Sequence, residues 1–462
     1  MLDRELDMGH VEEYRLLSTS GLLGYGFPEA SLEAGMARRP HMIGVDGGST
    51  DPGPYYLGSG KCVNSRMAMK RDLRLMLRAA RSERIPLIIG SCGGAGGEPH
   101  LQTVIGIVRE IAREDALHFR LGIIHSEQDK DWVKREREAG RVKALRNVKP
   151  LDDATIDRAT RIVGMMGAEP FQRALDEGAE VILAGRSSDP APWAGCATRA
   201  DMPPAAAWYA GKMLECGATA ALPKGHDCLL TSVSRAGVVL EAMNPIRLCT
   251  PFSVANHSLH ENSTPCFHIE PGGLLDTSDC VFEAVSERAV RVSGMQWTRQ
   301  PYTIKLEGAE LAGYRAITIC GTRDPMLVAT IDDFLVSVRE NVAVKAQAFG
   351  VMPDQYQLVI RTYGVNGVMA GWEPVEHTRS HELGFVAEVV AGSQEIANAV
   401  LAIARVQMLH VDFPGRLCKE GNMAFPYSPS DIETAPAYRF SVFHTVAIED
   451  PCAPFPIEYE TI

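Results

Sequence analysis

Between residues 42 and 185, short runs of Ile, Val and Leu alternate with longer amphipathic stretches, and this alternation leaves the chain few folds to choose from. The apolar runs cover residues 42–45, 87–89, 121–124 and 182–184. Three or four consecutive apolar residues are typical of a strand buried on both faces, and helices are the usual connections between parallel strands. The sequence therefore predicts an α/β region built on a mostly parallel sheet flanked by helices.

Polar or glycine-rich segments follow these runs directly. Asp46 and Asp51 bracket the turn after the first run, residues 90–97 follow the second, and Arg186 and Asp189 follow the last. Ligands of open α/β sheets bind at the carboxyl ends of the strands. We therefore expect these segments to form one composite site.

The segment at residues 91–97 reads Ser-Cys-Gly-Gly-Ala-Gly-Gly. It matches neither the GxGxxG dinucleotide fingerprint nor the GxxxxGK[ST] phosphate loop, so the sequence assigns no cofactor. Two interpretations stay open: a tight turn, or a backbone that binds a ligand through Gly93 and Gly94 beside the Ser91 hydroxyl. Cys92 is either a core residue or a nucleophile activated at a helix N-terminus.

The charged candidates also have two interpretations each. Arg186 either pairs with Asp189 or holds a substrate carboxylate with its planar fork. Asp46 and Asp51 either cap a turn or contact a ligand. Glu215 ends a predicted helix, where its charge opposes the helix dipole; it is either a solvated end or a functional residue.

Histidines and carboxylates crowd a loop-like segment between residues 244 and 271, namely His257, His260, Glu261, His268 and Glu270. Their spacing matches no known metal motif, so no metal site is predicted. Because histidine titrates near neutrality, His260 or His268 is a candidate general acid or base.

The composition narrows the partners and the compartment. A formal net charge of −12 argues against a nucleic-acid partner, and the eleven cysteines contain no CxxC pair. A basic stretch with helical spacing predicts a solvated helix face: Arg66, Lys70, Arg74, Arg78 and Arg81. No run approaches the roughly 18 apolar residues of a membrane span, and the acidic start lacks a signal-peptide core. We expect a cytoplasmic protein, without membrane attachment, that forms a homo-oligomer.

The C-terminal region predicts a different architecture, a ferredoxin-like α+β domain with the element order βαββαβ. The strands are predicted at residues 315–320, 356–363, 383–390 and 438–446, and the helices at residues 326–349 and 394–410. The predicted domains are residues 1–300, which carry the site, and residues 301–462.

Three segments share their pattern with a known family. Residues 185–189 have the form GRxxD, residues 211–218 contain ECGA, and residues 421–432 read GNMAFPYSPSDI. In this order they resemble the acyclic terpene utilisation (AtuA-like) family. Residues 45–51 replace the usual N-terminal motif, which identifies a divergent branch. The resemblance implies an α/β domain followed by a ferredoxin-like domain, and a link to the catabolism of branched acids and acyl-CoA esters.

These observations lead to one main hypothesis and two alternatives. The main hypothesis is a catabolic lyase, hydratase or hydrolase that acts on a small carboxylic acid or its acyl-CoA ester. Arg186 would hold the carboxylate, the backbone of residues 91–97 would stabilise an oxyanion, and Asp51, Asp189 or His268 would move the proton. The alternatives are acyl or amide transfer by a Cys92 nucleophile, and a non-catalytic subunit that binds an acyl ligand for a partner enzyme.

Overall fold

The computed structural model describes residues 12–262, 264–376, 380–418 and 422–462. Gly421, which opens the C-terminal motif, lies outside the described residues. Contacts within the chain define two compact units: the first ends at Glu310 and regains Phe440–Ile462, and the second is Leu311–Arg439. The sequence pattern places the division at residue 300, with everything after it in one domain.

The strands of the described residues, in chain order, are β1 (Glu13–Ser18), β2 (Met42–Asp46), β3 (Leu87–Gly90), β4 (Arg120–Ile124), β5 (Val142–Ala144), β6 (Ala159–Met165), β7 (Val181–Ala184), β8 (Leu229–Ser234), β9 (Gly237–Ala242), β10 (Phe267–Glu270), β11 (Gly273–Asp276), β12 (Val281–Ala284), β13 (Ala289–Ser293), β14 (Gln296–Arg299), β15 (Thr303–Thr322), β16 (Tyr356–Tyr363), β17 (Leu383–Ala391), β18 (Asp431–Glu433), β19 (Ala437–Ala447) and β20 (Ile457–Thr461).

The α-helices of the same residues are α1 (Glu29–Ala37), α2 (Pro54–Ser59), α3 (Arg66–Glu83), α4 (Glu98–Asp115), α5 (Lys130–Glu138), α6 (Asp153–Arg158), α7 (Glu169–Asp176), α8 (Ala191–Arg199), α9 (Pro204–Leu214), α10 (Pro251–Ser258), α11 (Pro325–Ala329), α12 (Ile331–Ala348) and α13 (Gln394–His410). Within the described residues, no helix is long and apolar enough to cross a membrane.

Side-chain caps explain where several helices begin. Ser65, Asp129 and Asp152 each accept a hydrogen bond from the backbone N–H three residues later, at the start of α3, α5 and α6. Ser393 does the same for Ile396 at the start of α13. Each bond pairs a backbone donor that the first helical turn leaves without an acceptor, so the caps fix the helix starts.

The main sheet of the first unit has the strand order β12-β13-β9-β8-β1-β2-β3-β7-β4-β20. The five neighbours β1, β2, β3, β7 and β4 are parallel to one another. The strands on either side pair antiparallel. The prediction of a parallel sheet therefore applies to these five central strands, and the sheet as a whole is mixed. The predicted α/β class is confirmed.

The central strands are apolar because both of their faces are covered. Val181 and Leu183 of β7 belong to one hydrophobic core, and Ile182 and Ala184 belong to another. Successive side chains of a strand point to opposite faces, so a run without polar interruption marks a strand between two cores.

The basic stretch on α3 faces acidic residues rather than a nucleic acid. The Lys70 ammonium lies 2.6 Å from a Glu110 carboxylate oxygen, and Arg78 Nε lies 2.8 Å from Asp115. Both acidic residues belong to α4. The cations therefore connect two neighbouring helices at the surface, where each such pair stabilises the fold by less than about 1 kcal/mol.

One small sheet and one further strand pairing of the first unit lie near the site. Strands β10, β11 and β14 form a three-stranded antiparallel sheet in which β10 is an edge. Residues Lys305–Glu310 of β15 pair antiparallel with β6. This pairing fixes which side chains of β15 point to each face of the strand, including that of Glu307.

The second unit follows the predicted element order up to its last strand. The later part of β15 pairs with β17, and β17 pairs with β16, all antiparallel. Helices α12 and α13 share a hydrophobic core with these strands. The short strand β18 pairs with Ala316–Thr318 of β15. The predicted last strand, residues 438–446, corresponds to β19, and from Phe440 onward it belongs to the first unit.

Candidate active site

A cavity of about 570 Å³ lies in the first unit, at the carboxyl ends of central strands. Its volume is in the range typical of small-molecule sites. Among the predicted residues, Asp51, Arg186, Asp189, Glu215 and His268 line it. The polar side chains that accompany them are Arg146, Ser188, Lys212, Glu261, Asn262, Glu270 and Lys305.

Arg186 is held rigidly at the wall of this cavity. Its Nε donates to Glu307 at 2.8 Å, and its Nη1 donates to Asp189 at 2.9 Å and to the Ser187 carbonyl at 2.7 Å. Burial opposes the charge, but the two carboxylates raise the pKa of the guanidinium above its ordinary value. Within the described residues, Nη2 makes no hydrogen bond. The guanidinium is therefore fixed, charged and open at one nitrogen.

Glu307 forms ion pairs with two cations, Arg186 and Lys305. Its other carboxylate oxygen accepts hydrogen bonds from Thr50 Oγ1 at 2.9 Å and from Lys305 Nζ at 2.8 Å. Burial alone would raise the pKa of this carboxyl, but Arg186 and Lys305 lower it to about 2. Glu307 is therefore ionised at neutral pH and keeps both cations in place.

The glycine-rich segment stands behind Arg186 rather than at the cavity. None of residues 91–97 is among the described residues that line the cavity. Ser91 Oγ accepts hydrogen bonds from Arg186 Nη1 and from the Ser187 backbone N–H, both at 3.2 Å. Gly96 accepts a hydrogen bond from the Arg186 backbone N–H at 3.2 Å. The segment thus contacts and positions the arginine.

Close packing is the reason for the glycines in this segment. Gly93 and Gly94 have φ values of 70° and 106°, in the region that favours glycine. A Cβ at Gly93 would lie 2.7 Å from Cys62 Sγ, and one at Gly94 would lie 2.6 Å from a Val63 methyl carbon. These two glycines are buried against neighbouring residues and do not line the cavity, so the structure places the segment expected to stabilise an oxyanion away from the substrate space.

Cys92 lies in a hydrophobic core and not in the cavity. Its side chain is fully buried, and burial raises the pKa of the thiol well above its ordinary value. A nucleophilic cysteine requires a lowered pKa and access to substrate. The interpretation of Cys92 as a nucleophile is therefore corrected: the residue packs among Leu and Ile side chains of the core.

Asp46 is buried beside the site but does not line the cavity. Burial raises the pKa of its carboxyl well above the ordinary value, and the nearby Asp189 charge raises it further. The Gly48 backbone N–H and the Arg186 charge act in the opposite direction. Its Oδ1 has no hydrogen-bond partner among the described residues. Asp46 therefore adds a buried carboxyl group with a raised pKa close to Arg186.

Lys212 and Glu215 form a buried pair at the end of α9. Lys212 Nζ lies 2.6 Å from Glu215 Oε1, and both side chains are less than a tenth exposed. Burial disfavours the ammonium, but Glu215 more than compensates and raises the pKa of Lys212. Burial, followed by the Asp189 charge, raises the pKa of Glu215, against the effect of Lys212. A carboxyl at the end of this helix therefore has a partner on the preceding turn.

Glu270 is a buried carboxyl group in the cavity wall. It accepts a hydrogen bond from the Ser188 hydroxyl. Burial raises its pKa to about 7, with Ser188 and the Lys212 charge opposing that effect. A carboxyl with this pKa exchanges a proton readily at neutral pH, which is the property of a general acid or base.

The three residues predicted to move a proton occupy different environments. Asp51 is exposed and accepts a hydrogen bond from Ser49 Oγ at 2.8 Å. Asp189 is engaged by Arg186. Burial, followed by the Lys212 charge, lowers the pKa of His268 to about 4, so its imidazole is neutral at pH 7. Of the three, only His268 combines burial with a side chain free of ion pairs.

His260 lies outside the lining of the cavity and pairs with Glu261 at 3.2 Å on the exposed surface. Among the described residues, no group of three or more His, Cys, Asp or Glu side chains is arranged to hold a metal ion. The crowd of histidines in residues 244–271 therefore does not form a metal-binding cluster in the described part of the chain.

Several residues of the site are absent from the predicted set, and three of them determine much of its charge: Lys212, Glu270 and Glu307. Lys212 stands in the ECGA-containing segment, three residues before Glu215, which is the spacing of neighbours on one helix face. The sequence pattern suggests Glu270 only as a possible metal ligand. Glu307 follows the apolar Ile304 and Leu306 on β15, and a charge at a buried position of a strand requires a partner.

The model of one protein family, described as "Acyclic terpene utilisation family protein AtuA", matches residues 66–225 and 231–417 of this chain. These ranges include the segments that carry Arg186, Lys212, Glu215, Glu270 and Glu307. No curated protein and no solved structure matches the chain.

Proposed function

The chain belongs to the acyclic terpene utilisation family, and from this premise we propose that it is a catabolic enzyme for a small branched carboxylic acid or its acyl thioester. Membership suggests a role in acyclic terpene catabolism. The proposal of a lyase or hydratase reaction rests on the charged side chains of the cavity wall. The observation that carries it is the combination of one fixed guanidinium with buried carboxyl groups whose pKa values are raised toward neutrality.

Arg186 provides the anchor for an acidic substrate. Its Nε and Nη1 are occupied by Glu307, Asp189 and Ser187, so a substrate carboxylate would bind through Nη2. This contact uses one nitrogen of the fork rather than the two expected from the sequence. Charge-assisted hydrogen bonds of this type are stronger than neutral ones, and the rigid frame reduces the entropy lost on binding.

Glu270 is the best-placed group for proton transfer. Lyase and hydratase reactions remove a proton from carbon and deliver one to the leaving oxygen, or run in reverse. A carboxyl with a pKa of about 7 has both protonation states populated at neutral pH. The Ser188 hydroxyl holds this carboxyl at the wall beside Asp189, in the segment that also carries Arg186.

The wall favours a short acid over a long hydrocarbon chain. The apolar side chains among the described lining residues are Met165, Pro190, Phe267 and Ile269, and the others are polar. An acyclic chain of two or more isoprene units would need an apolar surface to exclude water along its length. We therefore infer a substrate of about one isoprene unit at its acyl end.

The test is turnover by the purified chain. We would assay 3-methylbut-2-enoate, 3-hydroxy-3-methylbutanoate and their coenzyme A thioesters, and compare the wild type with Arg186→Lys. Lysine keeps the charge but has a single nitrogen, so it cannot reproduce the separate Nε and Nη1 contacts with Glu307 and Asp189 and the Nη2 position open to the ligand. We expect kcat/KM to fall at least about 30-fold, which corresponds to about 2 kcal/mol.

Arg199→Lys is the matched control, because Arg199 pairs with Asp176 on the surface. Its kinetics should equal those of the wild type. Near-normal kinetics of Arg186→Lys would remove Arg186 from the site. Absence of turnover with every acid and thioester would contradict the proposal and favour a non-catalytic subunit that binds an acyl ligand.

A further inference from the structure

Strand β16 ends its sheet with a long free edge. Within the described residues it pairs with β17 alone, over all eight of its positions and without a register shift. The other strands that end the described sheets, β5, β10, β12, β14 and β20, have three to five residues each. Proteins often keep edge strands short because an open edge pairs with other chains. Strand β16 lacks this protection.

The side chains of β16 do not protect its edge either. The strand, Tyr356–Tyr363, contains no proline, and Arg361 is its one charged residue. Arg361 Nη1 lies 2.6 Å from a carboxylate oxygen of Glu388 on β17, so this charge is balanced within the sheet. By contrast, the edge strand β20 presents the exposed Glu458. An edge without proline or an unbalanced charge is open to pairing with a further strand.

Large apolar side chains are exposed at both ends of β16. Phe349 and Met352 precede the strand, and Phe349 is 75% exposed. Val368, Met369 and Trp372 follow the strand, and Trp372 is 86% exposed. We call the first two residues the entry group of β16 and the last three its exit group. Exposed apolar side chains that cluster in this way mark an interaction surface.

Hydrogen bonds keep both groups close to the strand. Directly before β16, the Met352 N–H donates to Gln355 Oε1 at 2.8 Å. After β16, the Asn366 N–H donates to the Thr362 carbonyl at 3.0 Å, and the Ala370 N–H donates to the Asn366 carbonyl at 2.8 Å. These last two bonds form helical turns at the end of β16, which keep the exit group near it.

A second copy of the chain fits this arrangement because a two-fold axis reverses the direction of the strand. When β16 pairs antiparallel with its own copy, the start of each strand lies beside the end of the other. Each entry group then meets the exit group of the other copy, so that one contact is made twice, as a two-fold interface requires. The exposed apolar side chains at each end are thereby covered by apolar side chains.

The cross-strand pairs are also compatible when the axis passes Val359. Leu358 then lies opposite Ile360 of the second copy, on the face that shares a core with α12 and α13. On the other face, Gln357 lies opposite Arg361 of the second copy, and its amide oxygen is an acceptor for the guanidinium. No charged side chain of β16 faces its own copy in this register.

We propose that β16 forms the interface of a homodimer, paired antiparallel with β16 of a second copy about a two-fold axis at Val359. The entry and exit groups expose on the order of 700 Å² per copy, close to the roughly 800 Å² per partner of a standard interface. The backbone hydrogen bonds between the two strands add to this contact. The inference is independent of the proposed function.

The experiment measures the mass of the full chain by size-exclusion chromatography with light scattering, over a range of micromolar concentrations. We expect the wild type to have twice the mass of one chain. Val359→Lys and Val359→Glu each place like charges opposite one another at the axis, and each should raise the Kd of the dimer at least about 100-fold. An equimolar mixture of the two variants should recover the dimer, because opposite charges then meet.

Val281→Lys is the matched control, because Val281 lies on the short edge strand β12 and is 53% exposed. It should keep the mass of the wild type. Trp372→Ser tests the apolar groups without changing the strand and should raise the Kd of the dimer at least about 10-fold. Circular dichroism verifies that each variant is folded.

A wild type that stays monomeric over the whole concentration range would overturn the proposal and leave the edge to a strand of another protein. A dimer that persists in both charge variants would overturn it as well, since a different surface would then hold the copies together. A mixture of the charge variants that stays monomeric would contradict the axis at Val359 and overturn the proposed pairing. Recovery of the dimer in the mixture supports it, because the two charges meet only when the strands pair about that residue.

Discussion

The segment after β7 and the segment after β3 are similar in sequence but contribute differently to the site. Both follow buried parallel strands, and both contain glycine and polar residues. The segment after β7 places Arg186 and Asp189 at the cavity wall, whereas the segment after β3 packs behind it. Its Ser91 hydroxyl and Gly96 carbonyl hold Arg186 from the back. We call the segment after β7, with Arg186 and Asp189 at the cavity, the contacting layer. We call the segment after β3, residues 91–97, the supporting layer.

Gly96→Ala should have the largest effect, because it damages the supporting layer at its closest approach. Gly96 has a φ of 68°, and a Cβ there would lie 2.5 Å from Arg186 Cα. Strain and overlap with fixed backbone should lower the free energy of unfolding by on the order of 4 kcal/mol. Urea unfolding followed by circular dichroism measures this.

The neighbouring Gly97 is the matched control for that substitution. It has a φ of −72°, and the nearest atom to its added Cβ is the flexible Arg161 Cδ at 3.2 Å. Gly97→Ala should therefore cost less than about 1 kcal/mol. Similar stabilities of the two variants would contradict the supporting role of Gly96.

Glu307→Gln should have the next largest effect, since it removes the charge that Arg186 and Lys305 share. The pKa of Glu307 is about 2 in the folded chain, below the ordinary value of 4.5. Its ionisation therefore stabilises the fold fully above pH 4.5, and this contribution is lost as the pH falls toward 2. The stability difference between wild type and variant should shrink by about 3 kcal/mol over that window.

Thermal unfolding of both proteins between pH 6 and pH 2 measures the change. A difference that stays constant with pH would show that Glu307 acts through packing alone. Asp332→Asn is a suitable control, because Asp332 is an exposed residue in the first turn of α12.

Much of the fold could be predicted from local patterns, and the supporting layer could not. The apolar runs at β2, β3, β4 and β7 predict buried parallel strands because the pattern itself records burial on two faces. Arg186 and Asp189 could be placed at the cavity by the same rule. Glu307 could not, because its contact with Arg186 spans 121 positions of the sequence and depends on the register of β15.

The same limit explains the error at Cys92. A cysteine beside a glycine-rich turn has one sequence context whether its side chain enters a core or a site. Asp46 and Glu270 show the related difficulty for acids, because their raised pKa values depend on burial that the sequence does not display. Local patterns predict elements, and long-range packing determines the chemistry of the side chains on them.

Glu270→Gln should change the pH dependence of stability in the direction opposite to that expected for Glu307→Gln. The pKa of Glu270 is about 7 in the folded chain, above 4.5, so its protonated form stabilises the fold below pH 4.5. That contribution is lost as the pH rises through 7. Relative to the wild type, the variant should therefore gain up to about 3 kcal/mol between pH 4.5 and pH 8.

Chemical denaturation of both proteins at pH 5 and pH 8 tests this, with Glu340→Gln, at an exposed position of α12, as the control. A pH-independent difference would mean that Glu270 titrates as an ordinary carboxyl, and its role in proton transfer would have to be abandoned.

Cys92→Ala should have the smallest effect, since Cys92 belongs to the supporting layer and contacts no ligand. Loss of a buried thiol should lower the free energy of unfolding by roughly 1 kcal/mol and leave the binding of 3-methylbutanoate unchanged. Brief treatment of the folded wild type with iodoacetamide should modify the exposed Cys418 and spare Cys92, as measured by peptide mass spectrometry. Rapid alkylation of Cys92, or loss of acid binding in the variant, would place its thiol in the contacting layer after all. The raised pKa and complete burial of Cys92 argue for the opposite result, because a protonated thiol without solvent access reacts slowly with an alkylating agent.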